Sequence, residues 1–165
     1  MHKSLLIFHS LVDSLLIPPI EELSISTTLL TGTLPMELFE CTNLNLLVAS
    51  NTPIEGTIPT EIGQLSNLRV LNLVATQMEG TLPSELGLLT SLVWLQLSST
   101  DFTGTLPTEL ANLSQLNAIW IHWTRLEGAV PAGVCELPAA SREFVASCKN
   151  DKPIECECCT SCVGI

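Results

Sequence analysis

The chain has 165 residues, of which 46% are hydrophobic and 14% charged, and its 17 acidic residues outnumber its 6 Lys and Arg to give a net charge of -11. This composition is too apolar for a disordered tail, and the length suits one domain with a core. The negative charge repels phosphate backbones and argues against nucleic-acid binding. No stretch of 18 apolar residues lacks a charge, so we predict no membrane span within this chain.

Residues 1–17 have two interpretations, a degenerate secretory signal or a capping helix. A Lys precedes an apolar stretch, as in signal peptides, but His9 and Asp13 interrupt it and no small-residue cleavage site follows. The apolar residues between Leu5 and Leu16 fall on one face of an amphipathic helix. The capping helix is favoured, because a solenoid must cover its first coil.

A 24-residue repeat organises residues 18–134. Gly32 and Pro35 recur every 24 residues, and the segment LTGTLP that contains them returns as IEGTIP, MEGTLP, FTGTLP and LEGAVP. A fixed period of this length is typical of units that cannot bury their apolar faces alone. We therefore predict a solenoid in which each unit stacks on the next.

Each period contains a strand followed by a short convex arm. Leu71 and Leu73 alternate with Asn72, which predicts a strand with one buried face, and every repeat has the same pattern. Because all coils run in one direction, these strands form a parallel sheet. A second extended stretch surrounds Gly80, and Pro83 then begins a helical or 3-10 turn on the outer side.

These motifs resemble the leucine-rich repeat proteins of the plant type, whose unit reads LxxLxxLxLxxNxLxGxIPxxLGxL and is nearly complete at residues 65–89. The TLPTEL phrasing and the Cys-rich ending resemble, more narrowly, the secreted repeat proteins of diatoms. The resemblance implies an α/β solenoid: a right-handed superhelix with a parallel concave sheet, used for binding rather than chemistry. The paired-cysteine cap that precedes the first plant repeat is missing here.

Two threonine columns repeat with the same period. The first stands where the resembling repeats have Asn, so we expect its hydroxyls to turn inward and bond the coil backbone. Its members are Thr28, Thr52, Thr76, Thr100 and Thr124. The second, which begins at Thr33, should face solvent, and a regular array of this kind makes ice binding one alternative function.

Residues 135–165 interrupt the repeat and form a predicted Cys-rich C-terminal cap. Its six cysteines are disulfide candidates: Cys135, Cys148, Cys156, Cys158, Cys159 and Cys162. They allow fifteen pairings, and a zinc thiolate cluster is the alternative. Cys41 takes an inward Leu position and should be free and buried. Disulfides and the glycosylation sequon at Asn112 point to an extracellular or cell-surface location.

Residues of the strands that do not point inward line the concave face, where a solenoid binds its ligand. All three Trp fall on this face, and exposed aromatics are candidate hot spots. The predicted ligand-binding residues are Arg69, Asn72, Trp94, Gln96, Trp120, His122 and Trp123. The structural alternative is that Trp94 and Trp120 stack on each other merely to shield the sheet, or that Trp123 packs under the cap.

The repeats contain no catalytic constellation, because His122 has no Ser or Cys with a carboxylate at triad offsets. We therefore predict a non-enzymatic extracellular recognition module without a cofactor or metal, whose partner is a protein or a glycan. The alternatives are a structural wall component and a fragment of a larger receptor.

Overall fold

The computed structural model describes residues 20–137, 143–147 and 154–163, with the side chains of 162 and 163 excepted. The proposed capping helix or signal segment at 1–17 lies outside these residues.

The main sheet is parallel throughout and has seven strands within the described part of the chain. In spatial order they are β1 (Glu22–Ser24), β2 (Leu46–Val48), β4 (Val70–Asn72), β6 (Trp94–Gln96), β8 (Ala118–Trp120), β11 (Glu143–Ser147) and β13 (Ser161–Val163). Leu47, Leu71, Leu95 and Ile119 stand in one register, exactly one coil apart. The prediction of parallel strands centred on these residues is confirmed.

A second parallel sheet follows the first around each coil. Its strands are β3 (Glu55–Gly56), β5 (Gln77–Thr81), β7 (Asp101–Gly104) and β9 (Arg125–Leu126), while β10 (Gly128–Ala129) pairs with β12 (Ile154–Glu155). Gly80 has φ +81, and a Cβ there would lie 2.8 Å from Cγ2 of Thr57. The glycine column thus provides both the positive φ and the space for the threonine methyl of the preceding coil.

The convex side consists of short helical arms. Four 3-10 helices span Met36–Glu40, Thr60–Gln64, Ser84–Leu88 and Thr108–Asn112, and a short α-helix spans Ala132–Cys135. A proline precedes each of them, because its φ suits a helix start and its missing N–H has no helical partner to lose. Each 3-10 helix carries a Glu in its first turn, where the dipole favours a negative charge.

The core is a set of stacked apolar columns. Beside it, the threonines of the first column bond the backbone within each coil. Leu71, Leu95 and Ile119 are fully buried. The hydroxyl of Thr76 donates to the carbonyl of Leu73 at 2.8 Å, and the same bond over three residues occurs in all five coils. These carbonyls therefore have a partner inside the coil, as buried backbone requires.

The C-terminal cap continues the sheet and carries covalent links. Phe144 of β11 pairs with Ile119 and is fully buried, so this strand of the cap adds to the core. Disulfides join the following pairs: Cys135 to Cys158, and Cys156 to Cys159. These four sulfurs are consequently not zinc thiolates. Cys148 and the Cys162 side chain lie outside the described residues.

Cys41 is free and buried, as its Leu-like position predicted. Burial raises the pKa of its thiol, and the nearby Glu40 carboxylate raises it further. The thiol therefore stays protonated and acts as a small apolar group.

Candidate functional site

The strands bring the predicted concave residues into columns that run across the coils. Leu46, Val70 and Trp94 share one register, and Asn72, Gln96 and Trp120 share the next. Alternation along each strand directs both columns away from the core, as the pleat of a β-strand requires. Leu46 and Val70 therefore form an aliphatic stripe on the central coils that ends at Trp94.

The three tryptophans differ in exposure. Trp94 and Trp123 are 46% and 50% exposed, whereas Trp120 is half-buried. The indole N–H of Trp120 is buried and has no hydrogen-bond partner within the described chain. The ring contact seen there joins His122 to Trp123 edge to face, at 4.9 Å between centroids, rather than Trp94 to Trp120.

Trp123 has an unusual backbone conformation for a bulky residue. Its φ is +55, in the left-handed region, and Ser147 Oγ accepts its N–H at 2.7 Å. The equivalent positions in the other coils hold small or polar residues: Thr27, Asn51, Ala75 and Ser99. A large aromatic side chain is costly at such a position, so this exposed Trp is strained.

His122 lies beside this aromatic pair and is half-buried. Its Nδ1 and the Ser98 hydroxyl are 2.9 Å apart. Burial lowers the pKa of the imidazole below its ordinary value. Ser98 is itself buried, and within the described part of the protein no carboxylate bonds either residue, so the pair offers no triad geometry.

Three further predicted residues have different surroundings. Gln96 is only 8% exposed, so a ligand reaches little of it on this face. Asn72 is half-buried, and its side-chain oxygen accepts the N–H of Val74 at 3.1 Å. Arg69 is exposed and lies directly before β4.

Sequence reasoning missed a polar groove beside the strands. It has a volume of about 530 Å³ and is lined by Asn43, Asn67, Ser91 and Gln115, which stand 24 residues apart, together with Asn45 and Arg69. A smaller pocket of about 210 Å³ shares Asn45 and Arg69 and ends at Trp94. The 24-residue spacing of the four polar side chains could have revealed this column. These residues precede the strands, however, and the concave face was predicted from strand positions.

The remaining predictions concern glycosylation, metal binding and membrane spans. Asn112 of the sequon is exposed at the end of a 3-10 helix. Within these ranges there is no cluster of three His, Cys, Asp or Glu that could hold a metal ion. The helices described there are all too short or too polar to cross a bilayer.

Comparison with known proteins places these features in context. Residues 91–113 match the Leucine Rich Repeat family. The leucine-rich repeat ectodomain of the Arabidopsis thaliana receptor kinase GASSHO1/SCHENGEN3, solved in complex with CASPARIAN STRIP INTEGRITY FACTOR 2, is 30% identical over 85% of this chain with a TM-score of 0.71. No curated protein sequence matches.

Two other solved structures are similar over much of the chain. The plant peptide hormone receptor RGFR1, in complex with RGF2, is 29% identical over 78% of the chain, with 22% of its own length covered and a TM-score of 0.70. A plant ice-binding protein is 31% identical over 76%, with 41% of its length covered and a TM-score of 0.70. The chain spans about a fifth of the first receptors, 19% of GASSHO1/SCHENGEN3.

Proposed function

Because this chain belongs to the leucine-rich repeat proteins of the plant type, we propose that it is a non-enzymatic extracellular recognition module that binds a polypeptide on its concave side. We call the proposed contact region the aromatic surface: Trp94, Trp120, His122 and Trp123. The receptors similar to it were solved with bound partners, one of them a peptide hormone receptor, which supports a polypeptide over a glycan. The cap disulfides support an oxidising compartment.

The exposure of Trp94 and Trp123 is the observation that carries this proposal. The inward Leu and Ile columns already bury the core, so these two rings are not needed to fill it. Exposed Trp side chains on a rigid scaffold supply large contact areas at a low cost in conformational entropy. The strained backbone of Trp123 supports the same interpretation, because strain persists at sites where function requires it.

The test is capture of extracellular polypeptides by the immobilised full chain, followed by measurement of the affinity of each captured polypeptide. The double variant Trp94→Ala/Trp123→Ala should lose tenfold or more in affinity, which corresponds to about 1.4 kcal/mol or more for hot spots. Leu88→Ala is the matched control, since Leu88 is also an exposed apolar residue, 57% exposed, but lies on the convex side. Equal capture by all three proteins would favour the structural wall component instead.

Ice binding is a second candidate, because of the second threonine column and the similar plant ice-binding protein. Thr33, Thr57, Thr81 and Thr105 are all exposed, one per coil, and their methyl groups sit against the glycine of the next coil. This contact limits the side-chain rotation and would hold the hydroxyls in a regular row. If ice is the ligand, Thr57→Lys/Thr81→Lys should abolish inhibition of ice recrystallisation while Trp94→Ala/Trp123→Ala retains it. Absence of inhibition by the unaltered chain excludes this candidate.

A further inference from the structure

We propose that the polar groove beside the strands, which meets the aromatic surface at Trp94, is a further binding site, and that it takes a neutral, linear oligosaccharide. The groove and the adjoining pocket share Asn45, Arg69 and Val93, so they form one surface with Trp94 at its end. The volume of the groove, about 530 Å³, lies in the range of small-ligand sites, and the adjoining pocket measures about 210 Å³.

The side chains of the groove suit hydroxyl groups. Each amide of Asn43, Asn45 and Gln115 offers both donors and an acceptor, and a sugar hydroxyl also both donates and accepts. Asn67 uses its Nδ2 to donate to the carbonyl of Thr42 at 2.9 Å, which holds that side chain in place along the groove. Thr90 and Ser91 add further hydroxyls.

The spacing of the groove favours a chain of sugars over an extended peptide. Asn43, Asn67, Ser91 and Gln115 contribute one polar group per coil, and coils in a parallel sheet are about 4.8 Å apart. An extended peptide places successive side chains of one face about 6.7 Å apart, which does not match the coil spacing of about 4.8 Å. A linear chain of pyranose rings advances by approximately one ring per coil.

Trp94 provides an apolar aromatic face, which the amides of the groove lack. Its ring is 46% exposed and forms part of the pocket wall with Val70 and Val93. The C–H face of a sugar ring is apolar and packs on an aromatic face, while its hydroxyls remain at the rim. An aromatic platform beside an amide row is therefore complementary to both faces of a sugar.

The charge distribution favours a neutral ligand. The chain has a net charge of -11, which opposes the approach of a polyanionic glycan. The groove contains one cation, Arg69, and one carboxylate, Glu21, whereas Arg125, on the second sheet, is paired with Asp101 at 2.9 Å. One guanidinium can donate several hydrogen bonds to hydroxyls, but it does not neutralise a chain of carboxylates.

The test is calorimetric titration of the full chain with three neutral hexasaccharides, cellohexaose, laminarihexaose and maltohexaose. We expect saturable one-to-one binding of at least one, with Kd at or below about 1 mM. Trp94→Ala should weaken it about tenfold, and Gln115→Ala about threefold to tenfold. Gln77→Ala is the matched control, because Gln77 is also an exposed Gln but lies on the second sheet.

Three results would overturn the proposal. These are the absence of saturable binding by all three hexasaccharides, equal losses in Gln77→Ala and Gln115→Ala, and tighter binding of trigalacturonate than of any neutral sugar. Thermal melts of each variant verify folding, and substitutions at exposed positions such as Gln115 and Gln77 cost little stability. Polypeptide capture that depends on Trp123 is a separate readout, so the aromatic surface can stand even if the sugar site fails.

Discussion

The repeat body and the C-terminal cap are held together by different forces. In the body, residues 20–134, every strand of the central coils pairs with a neighbour on each side, and the fully buried Leu71 and Leu95 pack in continuous columns. Its single cysteine, Cys41, is free. In the cap, β12 has two residues and β13 three, and among the described residues disulfides join Cys135 to Cys158 and Cys156 to Cys159.

The difference follows from the number of neighbours that each coil has. A coil inside a solenoid gains burial and backbone hydrogen bonds from both sides, whereas the last coil gains them from only one. Covalent links compensate by lowering the entropy of the unfolded chain. Stability in the body is therefore periodic and cooperative, and stability in the cap depends on oxidation.

The largest effect is expected for a core position of the body. Leu95→Ala removes a fully buried side chain at the centre of β6 and should cost about 3–4 kcal/mol of unfolding free energy. Denaturant unfolding measures this loss. A cost below about 1 kcal/mol would mean that the columns do not form one core, and the contrast with the cap would disappear.

The next largest effect is the loss of stability on removing a disulfide, which should differ between Cys135–Cys158 and Cys156–Cys159. Cys135 and Cys158 close a loop with a sequence separation of 23, and Cys156 and Cys159 one with a separation of 3. On the loop-entropy relation, Cys135→Ser/Cys158→Ser should cost about 3.4 kcal/mol and Cys156→Ser/Cys159→Ser about 1.9 kcal/mol. Thermal melts of both double variants under non-reducing conditions test the order, which a larger loss for the short loop would contradict.

The threonine column tests whether the body depends on polar as well as apolar contacts. Thr76→Val keeps the shape but removes the donor to the Leu73 carbonyl, so it should cost about 1–3 kcal/mol. Thr57→Val serves as the control, because the Thr57 hydroxyl faces solvent. Equal stability of the two variants in urea would show that the inward hydroxyl contributes nothing.

A smaller effect is expected where the body meets the cap, at the strained Trp123. Asn tolerates the left-handed conformation, so Trp123→Asn should leave stability unchanged or raise it by up to about 1 kcal/mol. Polypeptide affinity should fall in the same variant. If Trp123→Asn instead melts well below the unaltered chain, Trp123 is a packing residue of the cap junction and does not belong to the aromatic surface.

The smallest effect concerns His122. Because burial lowers its pKa in the folded protein, the unfolded state binds the proton more readily below the ordinary pKa of about 6.5. The stabilisation is complete above that pH and is lost as pH falls toward the folded pKa. Between about pH 7.5 and 5.5 the Tm should therefore fall by a few degrees more than that of His122→Gln. An equal dependence of Tm on pH in the unaltered chain and in His122→Gln would exclude His122 as a source of pH-dependent stability.

The solenoid was predictable because its cause is periodic. Leu71 and Leu73 alternate with Asn72, and the pattern recurs every 24 residues, so local preference and stacking agree in every coil. The strand register, the proline at each arm and the inward Leu columns follow from that agreement. The concave location of Trp94 and Trp120 follows too, since alternation assigns each residue to a face.

Exposure and pairing were decided only in three dimensions. Gln96 has the same pattern as Asn72 but is buried, because its exposure depends on the side chains of adjacent coils, including Trp120 in its register. The cysteine spacing allows fifteen pairings, and the path of the cap back onto β8 and β10 brings Cys158 to Cys135. The repeat thus specified the stack of coils and the polar column of the groove by itself. The burial of Gln96, the Cys135–Cys158 disulfide and the bond from the Trp123 N–H to Ser147 arise instead from contacts between segments distant in sequence, which no local pattern encodes.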